Sequence, residues 1–121
     1  MQILLIAIFS IVLSVAAQFM LKLGMSSLEI KQAMAGPLTP RLPWIVLTNK
    51  FVFAGFALYG FGAVVWLKVL ASWDVSKAYP LVGLGFALTI LISMLLGETV
   101  TAFRVLGILL ICEGVWLVAN S

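Results

Sequence analysis

Four polar residues recur at every fourth position along the first apolar stretch of the chain. They are Ser10, Ser14, Gln18 and Lys22, and every other position from 3 to 21 is apolar. A spacing of four places side chains on one face of a helix. In lipid, a polar face turns toward another helix or toward water. The stripe therefore fits two roles, which are hydrogen bonding between helices and the lining of a path for a polar solute.

Charged side chains near the apolar stretches are candidates for binding ions. Glu113 is the only acidic residue inside such a stretch, and an ionisable group there costs roughly 2.5–3.5 kcal/mol on insertion scales. That penalty predicts an inward-facing Glu113, which would serve as a substrate or proton site, pair with Lys68, or contact a partner subunit. Lys22 is expected to snorkel to the interface. Lys22 and Lys68 are the candidates to attract an anion.

Aromatic residues with a polar edge complete the candidate site. Tyr59, Trp66 and Tyr79 fit packing or an interfacial belt, and Tyr79 stands out because Pro80 follows it. The predicted substrate-binding residues are thus Ser14, Gln18, Lys22, Tyr59, Trp66, Lys68, Tyr79 and Glu113. A separate pair, Gly107 and Gly114, lies seven residues apart on one helix face and predicts a dimer contact.

Four transmembrane helices are needed to hold these residues. The chain has 121 residues, 64% of them hydrophobic and 9% charged, which is typical of a membrane protein. The apolar stretches predict one all-α domain with helices at about 3–23, 49–71, 75–96 and 102–119. The first stretch has no basic segment before it and exceeds a signal-peptide core in length, which predicts a retained span.

The long first loop, residues 25–48, has signals of its own. Ser26 and Glu29 have the spacing of a capping box, which predicts a short helix at the membrane surface up to about Met34. Pro37, Pro40 and Pro43 predict extended chain after it. Gly24 and Gly97 are expected to end the first and third spans.

Composition also excludes classes of function. The chain has no histidine and one cysteine, Cys112, so an intrachain disulfide and Cys/His metal sites are excluded within one chain. We expect no catalytic residue, metal or cofactor and no nucleic-acid partner. The net charge of +3 instead reports orientation, because basic residues favour the cytoplasmic side. Five of them lie on the side of the first loop, which predicts that this loop is cytoplasmic: Lys22, Lys31, Arg41, Lys50 and Arg104.

Several segments resemble the four-helix members of the drug/metabolite transporter superfamily. The segments are Ala78–Leu81, Gly97–Val100, Gly107–Val115 and Ser14–Gln18 followed by Lys22. The chain is most similar to undecaprenyl-phosphate-aminoarabinose flippase subunits and more distantly resembles small multidrug resistance exporters. Those exporters depend on a first-helix glutamate, and Ser14 stands at that position. Ala17 replaces a glycine typical of the flippase subunits, and the first loop is longer than theirs.

The resemblance implies a function and a location. It implies an inner-membrane flippase subunit that moves a polyprenyl-phosphate-linked sugar of the aminoarabinose type, or a similar amphiphile, in lipopolysaccharide modification. It implies no enzymatic activity, and a homodimer or a heterodimer with a paralogous subunit. Two alternatives stay open, which are a small-solute exporter that uses Glu113 and an accessory subunit of a membrane glycosyltransferase. Four helices are in any case too few to surround a solute path, which favours an oligomer.

Overall fold

The computed structural model describes residues 2–121. Helices and turns account for the regular structure of this part of the chain. In chain order the elements are α1 (Gln2–Met25), α2 (Leu28–Ala35), α3 (Arg41–Thr48), α4 (Lys50–Ser72), α5 (Val75–Ala78), a 3₁₀ segment (Tyr79–Gly83), α6 (Leu84–Leu95) and α7 (Ala102–Ala119).

Four segments are long and apolar enough to cross a membrane. They are α1, α4, the third span Val75–Leu95 formed by α5, the 3₁₀ segment and α6, and lastly α7. The predicted all-α fold with four transmembrane segments is therefore confirmed. The first loop and the connection from α6 to α7 lie at one end of the bundle, called here the first-loop end. The start of α1, the turn from α4 to α5 and the end of α7 lie at the other, called the terminal end.

The close pairing of α1 with α4 is the main packing contact. Glycines of α4 make it possible, because a Cβ at Gly55 would lie 2.8 Å from Leu21 Cγ and one at Gly62 would lie 3.3 Å from Leu13 Cβ. Close backbone approach through small residues is how helices pack in lipid, where no hydrophobic force drives them together. The third glycine of α4, Gly60, faces open space.

Gly24 does not end the first span as predicted. Helix α1 continues to Met25, and Gly24 is buried against α4, where an added Cβ would lie 2.8 Å from Val52 N. Glycine is required at this position by the close contact between the two helices and not by a turn. Gly97 does end the third span: its φ is +84°. The Glu98 N–H donates to Ser93 O at 2.9 Å, which is the arrangement of a Schellman motif.

The third span is broken near its start, where the sequence predicts one continuous helix. Residues Tyr79–Gly83 form a 3₁₀ segment with Pro80 at its beginning. The physical reason is that proline has no N–H to donate and its ring crowds the preceding turn. After the break, α6 passes close to α1, and a Cβ at Gly85 would lie 3.2 Å from Ile11 Cγ2.

The first loop contains two short helices. Helix α2 is capped by Ser27, whose hydroxyl accepts from Ile30 N at 3.4 Å, so the predicted cap at Ser26 is wrong by one residue. The predicted extended segment is also partly wrong, because Pro43 lies within α3. A proline in the first turn of a helix loses no bond, since N–H groups there have no intrahelical acceptor. Whether α2 lies at the membrane surface stays a prediction.

Asn49 connects the first loop to the bundle. Its side-chain oxygen caps α4 by accepting from Phe51 N at 2.9 Å and from Val52 N at 3.2 Å. Its amide nitrogen lies 3.5 Å from the Ser27 hydroxyl that caps α2. Ile30 of α2 is 1% exposed. The loop is therefore held against the first-loop end of α1 and α4.

Candidate functional site

A cleft of about 720 Å³ opens between α1, α4 and the third span. Each of the three segments contributes five residues to its walls, and α7 contributes none. The lining residues are Ser10, Ile11, Ser14, Val15 and Gln18 from α1, Tyr59, Gly62, Ala63, Trp66 and Leu67 from α4, and Tyr79, Val82, Gly85, Phe86 and Thr89 from the third span.

The polar stripe of α1 supplies the cleft's hydrogen-bonding groups, and its members differ in role. Ser10 is 2% exposed, and its hydroxyl donates to Gly62 O at 2.7 Å. Ser14 is half-buried and Gln18 is exposed, and both line the cleft. Ser10 thus joins α1 to α4, whereas Ser14 and Gln18 present polar groups to whatever occupies the cleft. The predicted bond between helices is thus present at Ser10, whereas the lining of a path for a solute stays a prediction for Ser14 and Gln18.

The facing wall on α4 is largely aromatic. Tyr59 is exposed and Trp66 is half-buried, and they are seven residues apart, which places them on one face of the helix. Gly62 lies between them, and an added Cβ there would be 3.4 Å from Ser10 O and 3.6 Å from Ser14 Oγ. The absence of a side chain at Gly62 therefore leaves room for the Ser14 hydroxyl beside α4.

The third wall begins at the broken part of the third span. Tyr79 is 67% exposed at the first residue of the 3₁₀ segment. Phe86 is exposed, and the Thr89 hydroxyl donates to Gly85 O of its own helix at 2.8 Å. Because three lining aromatics remain exposed, namely Tyr59, Tyr79 and Phe86, the cleft is open on one side.

Five of the eight predicted substrate-binding residues line this cleft. They are Ser14, Gln18, Tyr59, Trp66 and Tyr79, and the structure brings them together from three helices. Lys22, Lys68 and Glu113 are exposed and lie outside the lining. Lys22 lies one turn beyond Gln18 toward the first-loop end, and Lys68 follows the lining residue Leu67 toward the terminal end. Each end of the cleft therefore has a lysine that is close in sequence to a lining residue, with Lys22 at the first-loop end and Lys68 at the terminal end.

Glu113 lies on α7, which forms no part of the cleft. In the single chain its side chain is exposed, so it does not face the interior of the protomer as the sequence predicts. The insertion penalty behind that prediction applies to an uncovered carboxylate in lipid. The penalty can equally be avoided by contact with a second subunit, which was one of the roles considered above.

The cleft lining contains no charged residue. Hydroxyl, amide and aromatic groups remain, and these bind polar but non-reacting ligands through hydrogen bonds and ring contacts. Among residues 2–121 no cluster of three metal-ligating side chains is present. The lining therefore offers hydrogen-bonding groups and ring faces to a polar ligand.

Phe86 and Thr89 belong to the cleft, but the sequence does not mark them as site residues. Both lie in a stretch where nearly every residue is apolar, so no periodic contrast marks the lining face. The break at Pro80 was the available signal, because it sets the direction in which α6 leaves the 3₁₀ segment. Ser10 was recognised as part of the stripe, but its bond to Gly62 depends on the packing of α4.

The predicted dimer glycines face open space in the single chain. An added Cβ at Gly107 or Gly114 would meet no atom within 4 Å. Helix α7 instead contacts the third span, where a Cβ at Gly83 would lie 2.9 Å from Ile111 Cγ2 and 3.0 Å from Val115 Cγ2. The glycine pair is therefore available for contact with another subunit, and the dimer itself stays a prediction.

Comparison with known proteins gives a consistent set of relatives. The chain is 33% identical over 119 residues to the "Probable 4-amino-4-deoxy-L-arabinose-phosphoundecaprenol flippase subunit ArnF" of Proteus mirabilis (strain HI4320), covering 95% of this chain and 90% of the relative. It is 30% identical to the ArnF protein of Yersinia enterocolitica serotype O:8 / biotype 1B over 122 residues, covering 90% and 87%.

A relative with a different subunit name also matches. The "Probable 4-amino-4-deoxy-L-arabinose-phosphoundecaprenol flippase subunit ArnE" of Pseudomonas savastanoi pv. phaseolicola is 39% identical over 71 residues, covering 58% of this chain and 62% of the relative. No family model and no solved structure matches the chain. The relatives are named as flippase subunits, which are transporters and not enzymes. The predicted resemblance to undecaprenyl-phosphate-aminoarabinose flippase subunits is confirmed.

Proposed function

The chain belongs to the family of 4-amino-4-deoxy-L-arabinose-phosphoundecaprenol flippase subunits, and from this premise we propose that it moves a polyprenyl-phosphate-linked sugar across the bacterial inner membrane. The observation that carries the proposal is the cleft. It is uncharged, open on one side, and lined by Ser14 near the middle of α1 and by Gln18 one turn further on.

The physical task of a flippase is to lower the free energy of a polar headgroup inside hydrocarbon. A hydroxyl or amide moved from water to an apolar medium without a hydrogen bond costs roughly 2–7 kcal/mol. Ser14 and Gln18 replace some of the water that a sugar loses, and the rings of Tyr59, Trp66 and Tyr79 offer apolar faces beside polar edges. Because the cleft is open on one side, the polyprenyl chain remains in lipid while the headgroup crosses.

The phosphate is assigned to the lysines near the two ends of the cleft. Lys22 lies on the same face of α1 as Gln18, one turn closer to the first-loop end. Lys68 lies near the opposite end, beside the lining residue Leu67. A lysine ammonium attracts a phosphate as a point charge, and more strongly at the low-dielectric edge of a bilayer. One lysine would receive the phosphate and the other would release it.

A second subunit is part of the proposal. The cleft has walls from three segments and is open where Tyr59, Tyr79 and Phe86 are exposed. A second copy or a paralogous subunit would cover part of this opening. Relatives named as two kinds of subunit, ArnF and ArnE, both match this chain. That makes a paralogue the partner to test beside a second copy.

The test is headgroup translocation in proteoliposomes. The full chain is reconstituted alone and with a paralogous subunit, and the sugar lipid that reaches the opposite leaflet is quantified. We expect Gln18→Ala and Ser14→Ala each to lower the rate several-fold at normal insertion, since each removes a hydrogen bond worth about 0.5–1.5 kcal/mol. Gln32→Ala, at an exposed glutamine of α2, is the matched control and should transport normally.

Lys22→Ala and Lys68→Ala test the phosphate assignment in the same assay. Each is expected to lower transport more than it lowers membrane insertion. If both lysine variants flip substrate at wild-type rates, the phosphate assignment is wrong. If wild-type protein moves no sugar lipid, alone or with a paralogue, the proposed function fails and the accessory-subunit alternative gains support.

A further inference from the structure

A second groove, of about 310 Å³, lies between α6 and α7 and plays no part in the function proposed so far. It is lined by Phe86, Thr89, Ile90, Arg104, Gly107, Ile108 and Ile111. The Thr89 hydroxyl is already bonded to Gly85 O at 2.8 Å, so it is not a free donor. Gly107 leaves the groove open, because an added Cβ there meets nothing within 4 Å. The surface of the groove is thus apolar throughout, and Arg104 lines it with the aliphatic part of its side chain.

Arg104 is held at one end of this groove. It lies in the first turn of α7, where its backbone N–H donates to Thr101 Oγ1 at 3.2 Å. One guanidinium nitrogen, Nη1, donates to Thr99 O at 3.0 Å. A guanidinium has five N–H donors, and Arg104 is exposed, so donors remain for a ligand. The bond to Thr99 limits where the guanidinium can move.

The order of charged and apolar groups along the groove matches that of an anionic lipid. Arg104 is near the first-loop end of α7, where the helix meets the membrane surface, whereas Phe86 and Ile111 lie about half way along their spans. A positive charge at the surface followed by apolar side chains toward the midplane matches a phosphate followed by a hydrocarbon chain. Arginine is well suited to the phosphate because its planar donors bind two oxygens at once.

The groove adjoins the cleft. Phe86 and Thr89 line both of them, so a molecule in the groove lies against the wall of the headgroup cleft. We propose that the groove between α6 and α7 is the docking site for the polyprenyl phosphate part of the substrate, with the phosphate at Arg104 and the first isoprene units against Ile90 and Ile108. This inference rests on the proposed function and adds the place where the lipid docks, with its phosphate at Arg104, before the phosphate passes to a cleft lysine and the headgroup enters the cleft.

The test uses a lipid that lacks the sugar. Full-length protein in phosphatidylcholine nanodiscs is photocrosslinked with undecaprenyl phosphate carrying a diazirine in its first isoprene units, and the labelled peptides are mapped. We expect labelling in α6 and α7 around Ile90 and Ile108. Arg104→Gln should weaken binding about tenfold, as loss of a bond to a charged group predicts, and Arg104→Lys should retain part of the affinity.

Variants of glycines that face open space separate the groove from other effects. Gly107→Leu fills the groove and should abolish the labelling, whereas Gly60→Leu adds the same side chain at an open position of α4 and should leave it intact. Gly114→Leu alters α7 outside the groove and should also leave labelling intact. Equal loss in Gly107→Leu and Gly114→Leu would overturn the inference in favour of an effect on subunit association.

Two further arms decide the identity of the lipid and the dependence on transport. Displacement of the probe by an equal mole fraction of phosphatidylglycerol would make the groove a general anionic-lipid site and overturn the inference. The double variant Ser14→Ala/Gln18→Ala should keep wild-type labelling, because the sugarless probe does not need the cleft. Transport of the sugar lipid without labelling of the groove would refute the inference alone, whereas labelling without transport would refute only the proposed function.

Discussion

Three side chains on one helix face, all hydroxyls or amides, have different roles because of what lies opposite them. The Ser10 hydroxyl donates to the backbone carbonyl of Gly62 at 2.7 Å. Gly62 has no side chain that could shield this carbonyl. Ser14 and Gln18 face the cleft. The three residues are consecutive members of one stripe, so their different roles follow from their contacts and not from their spacing.

This difference predicts opposite phenotypes for two serines one turn apart. Ser10→Ala should lower the free energy of unfolding by about 0.6 kcal/mol, the mean for a hydrogen bond between helices in a membrane protein. Ser14→Ala should change stability less and transport more. Unfolding in mixed micelles, with transport measured on the same preparations, compares the two. Equal stability losses would mean that Ser14 also bonds to a neighbouring helix.

We predict that the charge of the Glu113 carboxylate in α7 is not required for transport. Glu113 lies outside the cleft and is exposed in the single chain. The resemblance to small multidrug resistance exporters implies that their coupling glutamate corresponds to Ser14 here. Glu113→Gln keeps the shape and hydrogen bonding but removes the charge, so we expect it to retain most transport. Glu113→Leu should lose more, because it removes the polar contact as well.

Transport measured across a pH series is the readout for Glu113. A folded Gln variant without activity, together with wild-type activity that titrates with pH, would contradict this view. Such a result would favour the small-solute exporter alternative, in which Glu113 serves as the coupling group. The exposed residue Glu29 of α2 supplies a control, since Glu29→Gln removes a charge far from α7 in the chain.

At the scale of elements, the sequence predicted the spans well and their irregularities poorly. Long apolar stretches set the four spans, because hydrocarbon thickness requires about 20 apolar residues. The break at Tyr79–Gly83 was missed although Pro80 was recognised. Proline near the start of a helix is compatible both with a regular first turn and with a break. After the break α6 meets α1 at Gly85, which is a tertiary contact that the sequence alone does not show.

The first loop shows the same limit. Three prolines predicted extended chain, yet Arg41–Thr48 is helical with Pro43 in its first turn. The cap is Ser27 and not Ser26, and the Ser27 hydroxyl also lies 3.5 Å from the side-chain nitrogen of Asn49, 22 residues later in the chain. Local spacing alone contains no information about that partner. Among the cleft residues, likewise, the stripe on α1 was visible in sequence and the contribution of α6 was not.

Helix α2 is predicted to lie along the membrane surface. Its cap at Ser27 and buried Ile30 hold it to the bundle, and its eight residues are too few to span a bilayer. Spin labels at successive positions from 28 to 35 should report interfacial depth with a period of 3.6 residues. Depths that increase steadily along the segment would contradict an interfacial position. Labels in α4 provide the reference for a spanning helix.

The protomer has a small core, which lies around α1. Its buried core residues are few and small, with Ala7, Val15, Val69 and Ala78 among them. Helix α1 is covered by α4 on one side and by the third span on another, whereas α7 contributes only Val115 to the core. Because α7 packs mainly against the third span, most of its surface is free. In a membrane that surface meets either lipid or another subunit.

The dimer prediction follows from this free surface. Gly107 and Gly114 lie on α7 where an added side chain would meet nothing in the same chain, and small residues on a free face allow close approach of another helix. Replacing both with leucine should reduce crosslinking between subunits in membranes, while leaving the third span's contact with α7 at Gly83 in place. Gly60→Leu, which adds the same bulk to an open position of α4, should crosslink normally. Unchanged crosslinking of the Gly107→Leu/Gly114→Leu variant would exclude this interface and shift attention to the open side of the cleft at Tyr59 and Tyr79.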